Sequence, residues 1–237
     1  MKLALLDRAL AASRAGRSAT LLTDLKTGRQ SFVEDGKESG DIPFTETLRE
    51  AVRRAVNDDR NGTVETEAGP VFIEVFNPRL RCILVGAVHI AQPLARMAAL
   101  AGYLVTVVDP RTAFASDERF PGVEVSTDWP DEALERLKLN RRTAVVTLTH
   151  DPKLDDPALA TALRSDVFYI GALGSKRTHA GRLKRLAELG FGDKDFARIH
   201  GPVGLDIGAV SPSEIAISIL AQITLVLRGQ RRGKDEA

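Results

Sequence analysis

Apolar and polar positions along the chain change rhythm near residue 78. Before it, short alternating runs are broken by helical stretches. Leu3, Leu6 and Leu10 fall on one face of a short amphipathic helix. Residues 20–24 and 30–34 flank the turn-forming Lys26-Thr-Gly-Arg29, the pattern of a β-hairpin. Leu48, Val52 and Val56 share one face of a helix over residues 45–56. Residues 62–67 and 71–76 alternate around Ala68-Gly-Pro70 as a second hairpin. Residues 1–78 thus read as a small α+β domain that closes at Asn77-Pro78.

From Arg81 onward, continuously apolar runs alternate with amphipathic ones. Strands are predicted over residues 82–85, 103–108, 123–125, 143–148 and 167–170. Helices are predicted over 91–101, 128–137, 157–164 and 176–189, with a last one over 213–227 opened by Ser211-Pro212. Strands that are apolar throughout belong to a parallel sheet covered on both faces. Residues 79–227 are therefore predicted to form a Rossmann-like α/β domain, a parallel sheet with helices on both faces. Residues 228–237, which mix Arg228, Arg231, Arg232 and Lys234 with glycines and acids, read as a flexible, solvated tail. Open parallel sheets bind ligands at the carboxyl ends of their strands, so the chemistry is sought in those loops.

Composition narrows the picture. The 237 residues are 43% hydrophobic and 27% charged, ordinary for a soluble globular protein. A formal net charge of +1, with basic residues dispersed, argues against a nucleic-acid binder. No apolar run approaches a membrane span or the core of a secretory leader, so a cytoplasmic location and no membrane partner are expected. The single cysteine, Cys82, lies in the first apolar strand and reads as a buried thiol, excluding an internal disulfide or a cysteine-rich metal framework. No metal site is assigned, because a pair of His89 and His150 with Asp151 or Asp206 lacks a third ligand fixed by spacing.

The first strand-end loop is Gly86-Ala-Val-His-Ile-Ala91, where a dinucleotide-binding domain shows G-x-G-x-x-G/A. Gly86 can make the tight turn and Ala91 the close helix contact. Val88 replaces the glycine that lets a pyrophosphate approach the backbone, which weakens the case for NAD(P). Asp109 ends the second strand about where a ribose-binding carboxylate belongs, about 20 residues on. The scaffold of a dinucleotide site is present, and one of its steric requirements is not.

Other unusual peptides occupy the remaining loops. They are Asp109-Pro-Arg111 with Arg119-Phe-Pro121, Thr149-His-Asp-Pro152 with Leu154 and Asp155, and Tyr169-Ile-Gly-Ala-Leu-Gly-Ser-Lys-Arg-Thr178. Gly201-Pro-Val-Gly-Leu-Asp-Ile-Gly-Ala209 and the run from Ser211 to Ala221 complete the set. Five loop motifs in this order, from about Leu84 to Gln222, resemble the C-terminal domain of the XdhC/CoxI family, accessory proteins of xanthine and carbon monoxide dehydrogenases. The resemblance implies binding of molybdenum cofactor (molybdopterin), help with its sulfuration, and transfer to an apo-hydroxylase. It also implies a homodimer, and partners that include a cysteine desulfurase and a molybdenum hydroxylase subunit.

Two departures stand out. The family's Gly-Ala-Gly-His is Gly86-Ala-Val-His89 here. The family's N-terminal Gly-Ser-x-Pro and Gly-Gly-Cys motifs are missing from residues 1–80, so the first domain reads as degenerate.

If the strands take the order 3-2-1-4-5-6, the first and fourth are neighbours, and His89 and His150 face one crevice. The cofactor-binding set is then Gly86, His89, Asp109, Arg111, His150, Gly171, Gly174, Ser175 and Asp206, with Lys176 or Arg177 as counter-charge for an anion. Duller roles stay open. His89 can cap its helix, His150 can be a turn residue, and Asp206 can accept from its own buried loop. Lys176 and Arg177, on a helix with Arg182, Lys184 and Arg185, can be a solvated face. Ile215, Ile219, Ile223 and Val226 form a stripe that suits core packing or a dimer interface. The leading function is an accessory and maturation factor, a cofactor chaperone rather than a catalyst. The alternatives are an NAD(P)-dependent oxidoreductase using His150 and a non-catalytic interaction subunit.

Overall fold

The computed structural model describes residues 3–235, with side chains from residue 4 to residue 229. Two compact units divide the chain, Met1–Arg79 and Leu80–Ala237. In the first, α1 (Leu3–Arg14), β1 (Ala19–Asp24), β2 (Gln30–Glu34), β3 (Lys37–Gly40), α2 (Glu46–Asp58), β4 (Gly62–Thr66) and β5 (Gly69–Phe76) follow in order. Their strands make one antiparallel sheet, β3-β2-β1-β5-β4.

Alternation gives this sheet two apolar faces. Leu22, Val71 and Ile73 pack with Leu48 and Val52 of α2. Ala19, Leu21 and Phe32 pack with Ala9 and Ala12 of α1. β3 is not foreseen by the pattern, because Lys37-Glu-Ser-Gly40 is exposed throughout and has no apolar residue to alternate.

The second unit opens with β6 (Arg81–Val85), α3 (Ala91–Leu100), β7 (Leu104–Val108), β8 (Glu124–Ser126), α4 (Pro130–Arg136) and β9 (Thr143–Thr147). It continues with α5 (Pro152–Leu163), β10 (Tyr169–Ala172), α6 (Lys176–Glu188), α7 (Asp193–Phe196), β11 (Ile199–His200) and α8 (Pro212–Asp235). All six strands are parallel, in the order β11-β10-β9-β6-β7-β8. Counted within this unit that is 3-2-1-4-5-6, the Rossmann arrangement. The sixth strand, two residues long, leaves no readable pattern.

Cys82, Ile83, Leu84 and Val85 of β6 are all fully buried, because helices cover both faces of the sheet. Small residues of α3, Ala91, Ala95 and Ala98, let it pack closely on Ala216, Ile219 and Ile223 of α8 over one face. Ile219 and Ile223 are therefore core, and Ile215 and Val226 pack beside them. Leu134 of α4, Ala158, Leu159 and Ala162 of α5, and Leu186 of α6 cover the other.

Two helices depart from the predicted bounds by five residues or more. α8 continues beyond residue 227 to Asp235, while the side chains of Arg231, Arg232 and Lys234 lie outside the described residues. α5 starts at Pro152 rather than 157. Asp151 accepts from the Lys153 N–H as its N-cap, and Pro152 occupies a first-turn position whose N–H needs no partner. The earlier start places Asp155 on the first turn of α5, at the carboxyl end of the sheet.

Candidate functional site

The loops after β6, β7, β9 and β10 meet at that end. Gly86 has φ +111°, and a Cβ added there would stand 2.5 Å from Cγ2 of Thr149. Only glycine permits this approach of the β6 and β9 loops. The next N–H, of Ala87, donates to the fully buried Asp109 carboxylate at 2.8 Å. Asp109 also accepts from the Arg111 backbone N–H at 3.0 Å, and from Arg111 Nε and Nη2 at 2.9 and 2.8 Å. Burial alone would raise the Asp109 pKa, but the bonds from Arg111 and Ala87 outweigh it and hold the carboxyl below its ordinary value.

Asp109 thus ties the first loop to the second instead of presenting oxygens to a ribose. Val88 is half-buried against the core under α3 and α8. His89 stays exposed in the turn before α3.

Asp155 organises the other half. Its carboxylate accepts from the Thr149 hydroxyl at 2.7 Å, the His150 N–H at 3.1 Å and Arg182 Nη2 at 3.4 Å. Arg182 Nη2 also donates to the Leu173 carbonyl at 2.9 Å, which fixes the loop after β10. Both charged side chains are 2% exposed. Burial pushes the Asp155 pKa up, despite Thr149 and Arg182 pulling the other way. Burial likewise pulls Arg182 down against the nearby carboxylates.

This clamp holds His150 at φ +62°, a left-handed conformation uncommon outside glycine. In that pose His150 Nδ1 lies 3.7 Å from where a Cβ on Gly174 would stand. Ser175 caps α6 by accepting from the Thr178 N–H.

Gly86, Asp109, Arg111, His150 and Gly174 therefore come together around Thr149, Asp155 and Arg182, and Ser175 follows Gly174 at the start of α6. Arg111, held mainly by Asp109, also feels the charges of Asp151 and Asp155. His89 lies at the same end of the sheet, without a side-chain hydrogen bond among the described residues. Gly171 sits inside β10, where a Cβ would strike Val203 at 2.6 Å and Tyr169 at 2.9 Å, so it serves strand packing.

Asp206 is exposed in the loop after β11. That loop is not buried, contrary to the sequence expectation. It is fixed through Gly204 to Gln222 and Leu205 to Ser218 rather than through Asp206. Among the described residues, no three His, Cys, Asp or Glu side chains group closely enough to hold a metal ion.

From sequence, Thr149 and Asp155 are only quoted in a motif, and Arg182 is placed on a helix face that can be solvated. A signal exists for Arg182. It lies four residues before the buried Leu186, inside the apolar stripe of α6, where an arginine needs a buried partner.

Because the folded Asp109 carboxyl lies below its ordinary value of 3.8, the stability it contributes is present above pH 3.8 and lost as pH falls through its folded value. Asp109→Asn is expected to cost about 2 kcal/mol near neutrality, the scale of hydrogen bonds to a charged group. The gap in melting temperature between wild type and variant should close as pH falls below 3.8. A gap that stays constant through that range would remove Asp109 as the pH-dependent tie.

Residues 82–223 match the model of the XdhC Rossmann domain. The chain is 30% identical over 210 residues to a Bacillus subtilis 168 protein named as a probable xanthine dehydrogenase subunit, covering 88% of this chain and 61% of that protein. It is 34% identical over 151 residues to the molybdenum cofactor insertion chaperone PaoD of Escherichia coli K12, covering 64% of this chain and 41% of PaoD. YqeB of the same organism is 34% identical over 174 residues, 73% of this chain and 31% of YqeB. The chain thus spans less than two thirds of the length of these curated relatives. A crystal structure described as a xanthine dehydrogenase from Bacillus halodurans superposes with a TM-score of 0.75 at 26% identity, over 97% of this chain and 68% of that one. With the family's Rossmann domain matched over more than half its length and its loops tied at the strand ends as described, the chain belongs to the XdhC family.

Proposed function

We propose that this chain is a maturation factor for a molybdenum hydroxylase, carrying molybdenum cofactor as cargo in the strand-end crevice. The observation that carries the reading is the convergence of Gly86, Arg111, His150 and Gly174 on one end of a sheet where α5 and α6 begin. Helix N-termini and a guanidinium pinned by Asp109 favour an anion, and molybdopterin carries a phosphate. The fit is to the phosphate rather than to the metal. The one cysteine of the chain, Cys82, is fully buried in β6 with its pKa pushed up to about 12 by burial, and offers no thiolate.

The relative named as an insertion chaperone and the one named for a dehydrogenase support a hydroxylase as the client. A second copy of the chain and a cysteine desulfurase belong to the same proposal as partners. So does a cytoplasmic location; among the described residues no helix is long and apolar enough to cross a membrane.

Purified protein mixed with molybdopterin should retain it through a sizing column. His89→Ala should weaken retention on the order of tenfold, the loss of one charge-assisted contact. Failure of the wild type to retain molybdopterin would end the carrier reading.

A further inference from the structure

One cavity lies beside the crevice, between the first turns of α5 and α6. It has a volume of ≈ 250 Å³ and is lined by His150, Pro152, Asp155, Arg177, Thr178, Gly181, Arg182 and Arg185. Residues 178, 181, 182 and 185 follow helical spacing, so one face of α6 forms a wall. Arg182 is the unusual member. It is 2% exposed, and its Nε and Nη1 have no hydrogen-bond partner, whereas Nη2 is engaged by Asp155 and Leu173. A buried guanidinium with two donors unused is costly in an apolar setting, and an anion beside it would offset that cost.

Charge points the same way. Three arginines line the space against the one lining carboxylate, Asp155, which already accepts from Thr149 and His150. Arg185 is paired bidentately with Asp156, through Nε at 2.5 Å and Nη2 at 3.0 Å. Arg177 and the Thr178 hydroxyl stand at the exposed rim, by the N-terminus of the 13-residue α6. Size then limits the occupant. The volume falls below the roughly 300–1,000 Å³ of pockets that enclose whole small molecules, so it suits a headgroup rather than an entire cofactor.

We propose that this cavity is a receptor for a phosphate monoester group, with Arg182 as its buried anchor and Arg177 and Thr178 as its rim. The pocket is argued from its own geometry. Its assignment to the phosphate end of a carried cofactor deepens the function proposed above and rests on that reading.

Titration calorimetry on the full chain with inorganic phosphate, at constant ionic strength in chloride, tests the pocket alone. Saturable binding is expected. Arg177→Gln, at an exposed position, should weaken it on the order of tenfold, and Arg182→Lys by more, since a compact ammonium cannot replace the guanidinium fork. Molybdopterin retention by the same proteins provides the second arm.

Phosphate binding lost in both variants while wild type fails to retain molybdopterin would keep the pocket for free phosphate and sink the carrier reading. Molybdopterin retained equally by wild type and both variants, with no phosphate binding by wild type, would sink the pocket and keep the carrier. Phosphate binding unchanged by Arg177→Gln and by Arg182→Lys would also overturn it, by showing that the anion sits elsewhere.

Discussion

Replacement of Asp155 by alanine should cost the second unit about 3–5 kcal/mol, the penalty for removing one member of a buried ion pair. The carboxylate is nearly inaccessible and has four dependants: the Thr149 hydroxyl and N–H, the His150 N–H and the Arg182 guanidinium. Without it Arg182 keeps only the Leu173 carbonyl. For a unit of this size the loss corresponds to a melting temperature lower by on the order of 10 °C. Emission from Trp129, the single tryptophan, which lies in this unit, follows its unfolding. Asp155→Asn keeps an acceptor for Thr149 and should cost less. Asp155→Leu combined with Arg182→Met should recover much of the stability, because an apolar pair leaves no stranded charge. An Asp155→Ala protein as stable as wild type would show that the clamp holds nothing.

Gly86→Ala should be nearly as damaging, for a steric reason. The new methyl would lie 2.5 Å from Thr149 Cγ2 and 3.3 Å from Thr149 N, at a φ of +111° that L-residues avoid. Backbone strain of about 1–3 kcal/mol and overpacking of about 1–3 kcal/mol both apply. Thr149 moves only by disturbing its bond to Asp155, so the two halves of the site loosen together. The double variant Gly86→Ala with Thr149→Ser removes the clashing Cγ2 while keeping the hydroxyl. It should be more stable than Gly86→Ala alone, in a double-mutant cycle read by urea denaturation. Strict additivity would mean that the collision does not set the cost.

The Rossmann-like domain is legible in the sequence because its signal is redundant. Runs such as Cys82-Ile-Leu-Val85 and Ala144-Val-Val146 admit few readings other than buried parallel strands, and the loops between them carry the family's motifs. What escapes is short or depends on distance. β3 has no apolar residue, β11 has two residues, and the start of α5 hides behind two prolines, one of which, Pro157, lies inside the helix.

At the candidate site, position along the sheet alone points to the glycine turns, Asp109 and His150. It does not point to their partners. Asp109 looks like a ribose ligand until Arg111 folds back on it, and Arg182 looks solvated until Asp155 is placed opposite. Gly171 and Asp206, expected from motifs alone, stand apart from this cluster, one packed inside β10 and the other exposed in the loop after β11. Ion pairs between side chains 27 positions apart leave no periodic trace.

The central position of β6 also bears on how the protein is made. As the polypeptide emerges from the ribosome, β7 and β8 can pair on one side of β6 before β9 has been synthesised. Until Thr143–Thr147 appears, the apolar inner strand presents an unprotected edge, the feature that recruits unwanted partners. At ordinary elongation speed this interval lasts on the order of seconds. During translation of the stretch between Ser126 and Thr143, the strand that later seats Gly86 has only one neighbour.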